Sequence, residues 1–355
     1  MDSGTEASPQ RWSAWWAGWE RSGSDVSLNF LGRPSEGVSK PACKEFMRTH
    51  TELATNRSLL AWGARFVRKP WREKLQAIGF HWVKRVPWVP FPVRLPFGGW
   101  WLAWDDAVDH QILAGSFETP LRCFVERFLK PGMTVLDIGA HHGFYTLLAS
   151  KKVGPMGVVV AFEPSPRERK KLLWHLRLHG CKNVRVEGLA LASTSGEGTL
   201  FLVERNDTGC NSLRPPNAAG PSRAMRVSIT TVDEYIREHE VRNVDFVKLD
   251  VEGAEREILS GACELLRKEP RPVFLCELQD IRTQAWGHRA ADVAEFLARC
   301  AYRWYEPCPD GTIQQEIKEF ETLDGTYVAV PEERIQQMLD CMARQEDAVR
   351  KRSES

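Results

Sequence analysis

Acids and glycines stand together at one place in this chain. Val135-Leu136-Asp137-Ile138-Gly139-Ala140-His141-His142-Gly143-Phe144-Tyr145 starts as an apolar strand, reaches an acid and turns through two glycines into a helical pattern. Glycine lets a backbone approach a ligand closely and take turn angles that other residues resist. A dinucleotide site on the same turn needs G-x-G-x-x-G, and His141 stands where the middle glycine belongs. An acid at the strand tip also suits a ligand bearing positive charge better than one bearing pyrophosphate. S-adenosylmethionine, with its sulfonium and ammonium, is such a ligand.

Three further runs repeat the strand-then-acid pattern. Val158-Val159-Val160-Ala161-Phe162-Glu163-Pro164-Ser165 ends in an acid able to accept both ribose hydroxyls of a nucleoside. Pro164 stops the strand, and Ser165 is expected to cap the next helix. Val244 to Leu249 leads to Asp250 and Glu252, with Gly253 opening a helix. Those two acids could hold a methionine ammonium, take a proton or coordinate magnesium; magnesium is the less favoured reading. Glu255 and Glu257 read as a charge run suited to a helix N-terminus. Phe274-Leu275-Cys276-Glu277 places Glu277 at the end of another strand, facing an acceptor, as the preferred general base, with Glu252 next. Cys276 alternates to the other side and reads as core. His141 and His142 lack further metal-like spacing, so they read as loop residues near the cofactor, with no metal. The Pro- and Gly-containing stretch 206–223, with Asn206, Asp207, Asn211, Ser212 and Arg214, reads as a substrate lid.

The elements that must position these acids follow from periodicity. Strands are expected at Thr134–Ile138, Gly157–Phe162, Asn183–Gly188, Val244–Leu249 and Val273–Glu277. Helices are expected at Phe144–Lys152, Pro166–His179, Ala254–Arg267 and Ala290–Cys300 between and after them. Strands alternating with helices of this length imply βαβ units and a mainly parallel sheet. Thr199–Val203 and Met225–Ile229 read as an antiparallel pair, and Thr231 to Glu234 as a capping box. Tyr302–Tyr305 and Tyr327–Val330 are late strands, and Glu332–Arg350 a charged helix.

Composition narrows the function. With 43% apolar and 27% charged residues, the 355-residue chain can bury a core. A formal charge of +1 argues against a dedicated nucleic-acid binder. Nine cysteines without a C-x-x-C pair fit free thiols in a reducing cytoplasm. Asp2 and Glu6 precede any basic residue, so no secretory signal is expected, and no apolar run is long enough to span a membrane. Eleven of the 14 tryptophans precede residue 105, so the chain changes character there. Trp12, Trp15, Trp16 and Trp19 share one face if helical. Residues 61–94 carry eight basic residues against Glu73, interleaved with aromatics. That stretch reads as a cap on the main domain, or as a peripheral membrane contact through residues 1–105 at the inner face of a membrane, with nucleic-acid contact the least favoured reading. The domain division expected is a weakly structured leader 1–55, a basic aromatic extension 56–115, a catalytic domain 116–330 and a charged tail 331–355.

Asp137 to Thr146, Phe162-Glu163-Pro164-Ser165, Lys248-Leu249-Asp250-Val251-Glu252-Gly253-Ala254-Glu255 and Cys276-Glu277 together resemble the FkbM family of S-adenosylmethionine-dependent methyltransferases. The resemblance covers roughly residues 115–310, and its K-x-D-x-E-G-x-E element is the distinctive part. It implies a class I methyltransferase, an α/β three-layer sandwich on a seven-stranded, mostly parallel Rossmann-like sheet. It implies O-methylation of a hydroxyl on a sugar, glycan or secondary metabolite. The implied cofactor footprint runs through Asp137, Gly139, Ala140, His141, Gly143, Phe144, Tyr145, Glu163, Pro164, Ser165, Ala190 and Asp250. Many members carry Asn where His141 stands. The rival functions are an NAD-dependent oxidoreductase on a similar sheet and a non-catalytic membrane-surface adaptor.

Overall fold

Short runs of valine, leucine and isoleucine, each about five residues long, become buried strands because both faces of their sheet are covered. In a computed structural model, residues 70–204, 207–215, 221–321 and 323–342 are described. They belong to a unit that spans residues 63–355. Trp12 to Trp19, the leader, residues 56–69 and the tail beyond 342 lie outside the described residues.

A hairpin comes first, β1 (Phe91–Arg94) with β2 (Trp100–Ala103). The main sheet then takes β3 (Thr134–Ile138), β4 (Val158–Phe162) and β5 (Val184–Glu187). A three-stranded sheet interrupts, made of β6 (Ala190–Leu191), β7 (Gly196–Val203) and β8 (Ser222–Thr230). The main sheet resumes with β9 (Val244–Leu249), β10 (Val273–Gln279), β11 (Tyr302–Tyr305) and β12 (Asp324–Pro331). Its order is β11-β12-β10-β9-β3-β4-β5. The five strands β5, β4, β3, β9 and β10 run parallel, and β12 inserts antiparallel between β10 and β11. The chain leaves β3 toward β4 and later returns to its other side as β9, so the strand order reverses at β3. A crevice opens at the carboxyl ends of strands at such a reversal.

Alternation along β3 assigns the two layers. Leu136 and Ile138 join Val160, Phe162, Val247 and Leu249 on one face, whereas Val135 joins Val159, Ala161 and Phe246 on the other. The second face is covered partly by the segment before β3. Val83, Trp101, Ile112, Phe124 and Phe128 share one core cluster with Phe144, Leu147 and Leu148. Trp101 is fully buried, donates its indole N–H to Asp109 Oδ1 at 2.7 Å and stacks on His175 at 3.8 Å.

Several elements differ from their sequence reading. The helix expected over Ala254–Arg267 is regular only over Glu255–Ser260. Gly261 closes it, and only a residue without a side chain fits there, since a Cβ would meet the Ala192 carbonyl at 2.3 Å. The Thr231 hydroxyl caps the helix Val232–Glu238, but the Glu234 carboxylate binds Ser195 and Thr230 instead of completing a capping box. The antiparallel pair is longer than expected and belongs to its own sheet. After β12, a 3-10 turn Glu332–Arg334 leads into a helix described through residue 342.

Candidate active site

The turn after β3 is held open by contacts that only glycine tolerates. Gly139 has φ +84°, and a Cβ there would lie 1.9 Å from the Asp250 carbonyl oxygen. The tips of β3 and β9 therefore close on each other at a residue without a side chain. Gly139 and Ala140 both donate backbone N–H to the Phe162 carbonyl, which ties the turn to β4. His141 follows at φ +49° and donates its N–H to Glu163 Oε2 at 2.8 Å. The other Glu163 oxygen accepts from Ser165 N–H at 2.8 Å. Burial, then Glu168, pushes the Glu163 carboxyl up to about 8 against these two amides.

Beneath the turn lies an acidic set around one cation. Lys248, in β9, is buried and donates to Asp250 Oδ2 at 2.8 Å. Burial alone would lower its pKa, but Asp250, Asp137 and Glu118 together raise it above the usual lysine range. Asp137 Oδ2 accepts from Thr146 Oγ1 at 2.5 Å, while its Oδ1 is buried with no hydrogen-bond partner. Desolvation raises the Asp137 pKa, with Lys248 opposing. Tyr145 donates its hydroxyl to Glu118 Oε2 at 2.6 Å, and its ring lies 5.2 Å from the Lys248 ammonium.

Across from that set, Asp250, Glu252 and Glu277 bring carboxylate oxygens within 4.8 Å of one another. Burial, then Asp250, pushes the Glu277 carboxyl well above its ordinary range, whereas for Asp250 burial is outweighed by Lys248, Glu277 and Arg282 together, which hold its carboxyl down. Asp250 and Glu277 lie close enough to disfavour ionising together, and Glu277 is the member more readily protonated. Glu252, at φ +59°, pairs with Arg282 Nε at 2.8 Å. Magnesium does not fit this cluster: Lys248 and Arg282 already place positive charge on two of the three acids.

Of the residues expected to bind cofactor, Asp137, Gly139, Ala140, His141, Gly143, Phe144, Tyr145, Glu163, Pro164, Ala190 and Asp250 line one cleft. Glu252 and Glu277, the expected catalytic acids, line it too. Ser165 does not: its side chain is fully buried, gives no cap bond and donates to Glu168. It serves the site only through the N–H that holds Glu163. The stretch 206–223 is more anchored than a free lid. Thr208–Cys210 is a 3-10 turn, Asn211 Oδ1 accepts from Val203 N–H, and Ser212 donates to the Glu252 carbonyl; residues 205, 206 and 216–220 lie outside the described residues. Glu255 is no surface charge, since it is buried and accepts from the N–H groups of Val251 and Gly253.

Sequence reasoning passed over Lys248, Glu118, Arg282 and Asp106. For Lys248 a signal was present, as the first residue of K-x-D-x-E-G. Glu118 and Arg282 reach the cleft from distant segments and had none.

Comparison with known proteins places this geometry. Residues 137–304 match the family model described as "Methyltransferase FkbM domain". Among curated relatives, the AMB antimetabolite synthetase AmbE of Pseudomonas aeruginosa is 25% identical over 204 residues, 48% of this chain and 10% of that protein. Methyltransferase 1 of Beauveria bassiana is 24% identical over 147 residues, 36% of this chain and 57% of that protein. The chain thus spans a tenth of the first relative and little more than half of the second. Among solved structures, an O-methyltransferase from Bacillus cereus in complex with SAH aligns with TM-score 0.36 and 13% identity, covering 61% of this chain and 80% of that one. The motifs at the tips of β3, β4, β9 and β10 all fall inside the matched segment, so residues 137–304 are similar to the FkbM methyltransferase domain.

Proposed function

We propose that this chain uses S-adenosylmethionine to methylate a hydroxyl oxygen on a sugar, glycan or secondary metabolite. The observation that carries the reading is that Asp137, Glu163 and Asp250, from three different strands, line one cleft where the strand order reverses. The buried, unpartnered Asp137 Oδ1 and the side-chain-free Gly139 suit a cationic nucleoside lying across the strand tips. When bound, S-adenosylmethionine supplies a methyl group already activated by its sulfonium.

What remains for the protein is alignment and one proton. Glu163, fixed by two amides, keeps lone pairs for ribose hydroxyls. Alignment of donor and acceptor provides most of the rate. An attacking alcohol must shed its proton, and a positioned carboxylate contributes typically ~10²–10⁴-fold. Asp250, paired with Lys248 and held down, is a weak proton acceptor, whereas the raised Glu277 carboxyl favours taking a proton once ionised. Glu252 is engaged by Arg282 as Asp250 is by Lys248, which leaves Glu277 first for the base role, with Asp250 beside it.

Calorimetric titration of the full chain with S-adenosylhomocysteine, and separately with NAD, tests the cofactor. Binding of the first alone is expected, and binding of NAD alone would overturn the reading. Turnover with radiolabelled methyl donor and a panel of hydroxylated sugars tests the acceptor class; label appearing only in nitrogen acceptors would refute it.

A second, compatible reading is peripheral membrane contact. Along the helix Trp71–Arg85, Trp71, Leu75, Ile78 and Trp82 form an exposed stripe, and Trp88 beyond it is 75% exposed. Aromatic rings of this kind suit the headgroup layer. Flotation with anionic vesicles, lost in a Trp71→Ser/Trp82→Ser variant, supports it; unchanged flotation refutes it. Among the described residues no helix is long and apolar enough to cross a membrane.

A further inference from the structure

The motif turn carries two histidines that the methyl-transfer chemistry does not use, and the fold brings a third residue to them. Asp106, at the N-cap of the helix Ala107–Ala114, meets His141 and His142 so that donor atoms from all three lie within 4.8 Å of one another. Nothing in local spacing foretells this, because two helices, Ala107–Ala114 and Thr119–Phe128, separate Asp106 from β3.

His142 is the telling residue. It is 1% exposed, yet neither ring nitrogen has a hydrogen-bond partner. The nearest acid to it, Asp109 Oδ1, is 3.8 Å from Nδ1, too far for a hydrogen bond. Asp109 is committed elsewhere, to the Trp101 indole and the Trp104 N–H. A buried imidazole with two idle nitrogens is costly unless something occupies them.

The neighbours of Asp106 and His141 are arranged as outer partners of ligands are. Thr208 donates its hydroxyl to Asp106 Oδ2 at 2.6 Å and so accepts from His141 Nε2 at 2.8 Å. That bond leaves His141 Nδ1 as the nitrogen with a free lone pair. The two imidazole rings stack at 3.7 Å. Outer hydrogen bonds of this kind fix the tautomer of a metal-bound histidine.

We propose that Asp106, His141 and His142 form a binding site for a divalent transition-metal ion of the zinc, cobalt or iron(II) class. Two imidazoles and one carboxylate are the donor set these ions favour over magnesium or calcium. Ligands of a tetrahedral zinc at about 2.0–2.1 Å lie roughly 3.3 Å apart, and an imidazole binds metal in its own plane, so one of the two stacked rings must turn out of the stack to bring its nitrogen to the ion. Lys171 and Arg167 are nearby opposing charges, and the Lys171 ammonium lies over the Trp104 ring, 4.8 Å from the centroid. Three protein ligands leave coordination positions open, and both histidines line the cleft, so a donor atom of a small ligand can complete the shell.

The full chain, stripped with chelator and dialysed, is titrated with Zn²⁺ by calorimetry and with Co²⁺ by visible absorption. One equivalent should bind, with cobalt ligand-field bands and no thiolate charge-transfer band. Asp106→Asn, which keeps the helix cap, and His142→Gln should each weaken binding at least tenfold. His239→Gln, at an exposed histidine, should leave it unchanged. If either site variant fails to fold, His141→Asn provides the same comparison. No binding by the parent chain, a thiolate band, or undiminished affinity in the folded site variants would each overturn the site. The readout is metal alone, so it stands or falls separately from cofactor binding.

Discussion

Replacing Lys248 by Met removes the one ammonium shared by Asp250, Asp137 and Glu118 while keeping the aliphatic bulk. At 2.8 Å from Asp250 Oδ2, with an effective dielectric of about 20, the direct attraction is roughly 6 kcal/mol. Desolvation of the ammonium offsets part of it, and breaking a buried pair from one side costs about 3–5 kcal/mol. The sign with pH follows from the shifts. Lys248 is raised, so its contribution is complete below the unfolded lysine value and is lost only as pH climbs through the higher folded value. Asp250 is depressed, so its contribution is present above the unfolded aspartate value and is lost as pH falls through the folded one. Between about pH 5 and 9 both are intact. Urea unfolding of parent and variant at about pH 7.5 should therefore show the full deficit. At about pH 4 the acids in the variant protonate and the deficit should fall below half. A deficit under about 1 kcal/mol at neutral pH, or an equal one at both pH values, would show that packing rather than charge holds Lys248 in place.

Other outcomes follow from the same geometry. Gly139→Ala combines a positive φ with a 1.9 Å approach to the Asp250 carbonyl, so unfolding midpoints should reveal a loss of about 2–5 kcal/mol, and the displaced β9 tip should cut S-adenosylhomocysteine affinity more than tenfold. Burial raises Glu163 to about 8, and a ribose is best held by its charged form, so S-adenosylhomocysteine affinity should rise between about pH 7 and 9 and level off above; a flat profile counts against the ribose role. Asp250→Asn and Glu277→Gln, assayed at saturating acceptor, should each lower kcat by ~10²–10⁴-fold, and unchanged turnover in both would remove the paired carboxylates as base.

The strand-then-acid runs were legible because a buried parallel strand must be continuously apolar and its carboxyl end must face the crevice. That logic located Asp137, Glu163, Asp250 and Glu277 from spacing alone. It failed for Ser165, whose type suits a helix cap but whose hydroxyl finds Glu168 instead. It failed again for Glu255, because an acid near a helix start looks the same in sequence whether it meets solvent or braces the preceding turn.

Local pattern thus determined the sheet class, the glycine turn and the acids at the strand tips, since each depends on residues close together in the chain. Tertiary structure alone decided what each acid faces. Lys248 sits among three carboxylates, Arg282 closes on Glu252, and Asp106 arrives beside His141 and His142. Those meetings join segments far apart in sequence, and a charge or a lone pair acquires its chemistry from whatever the fold sets a few ångströms away.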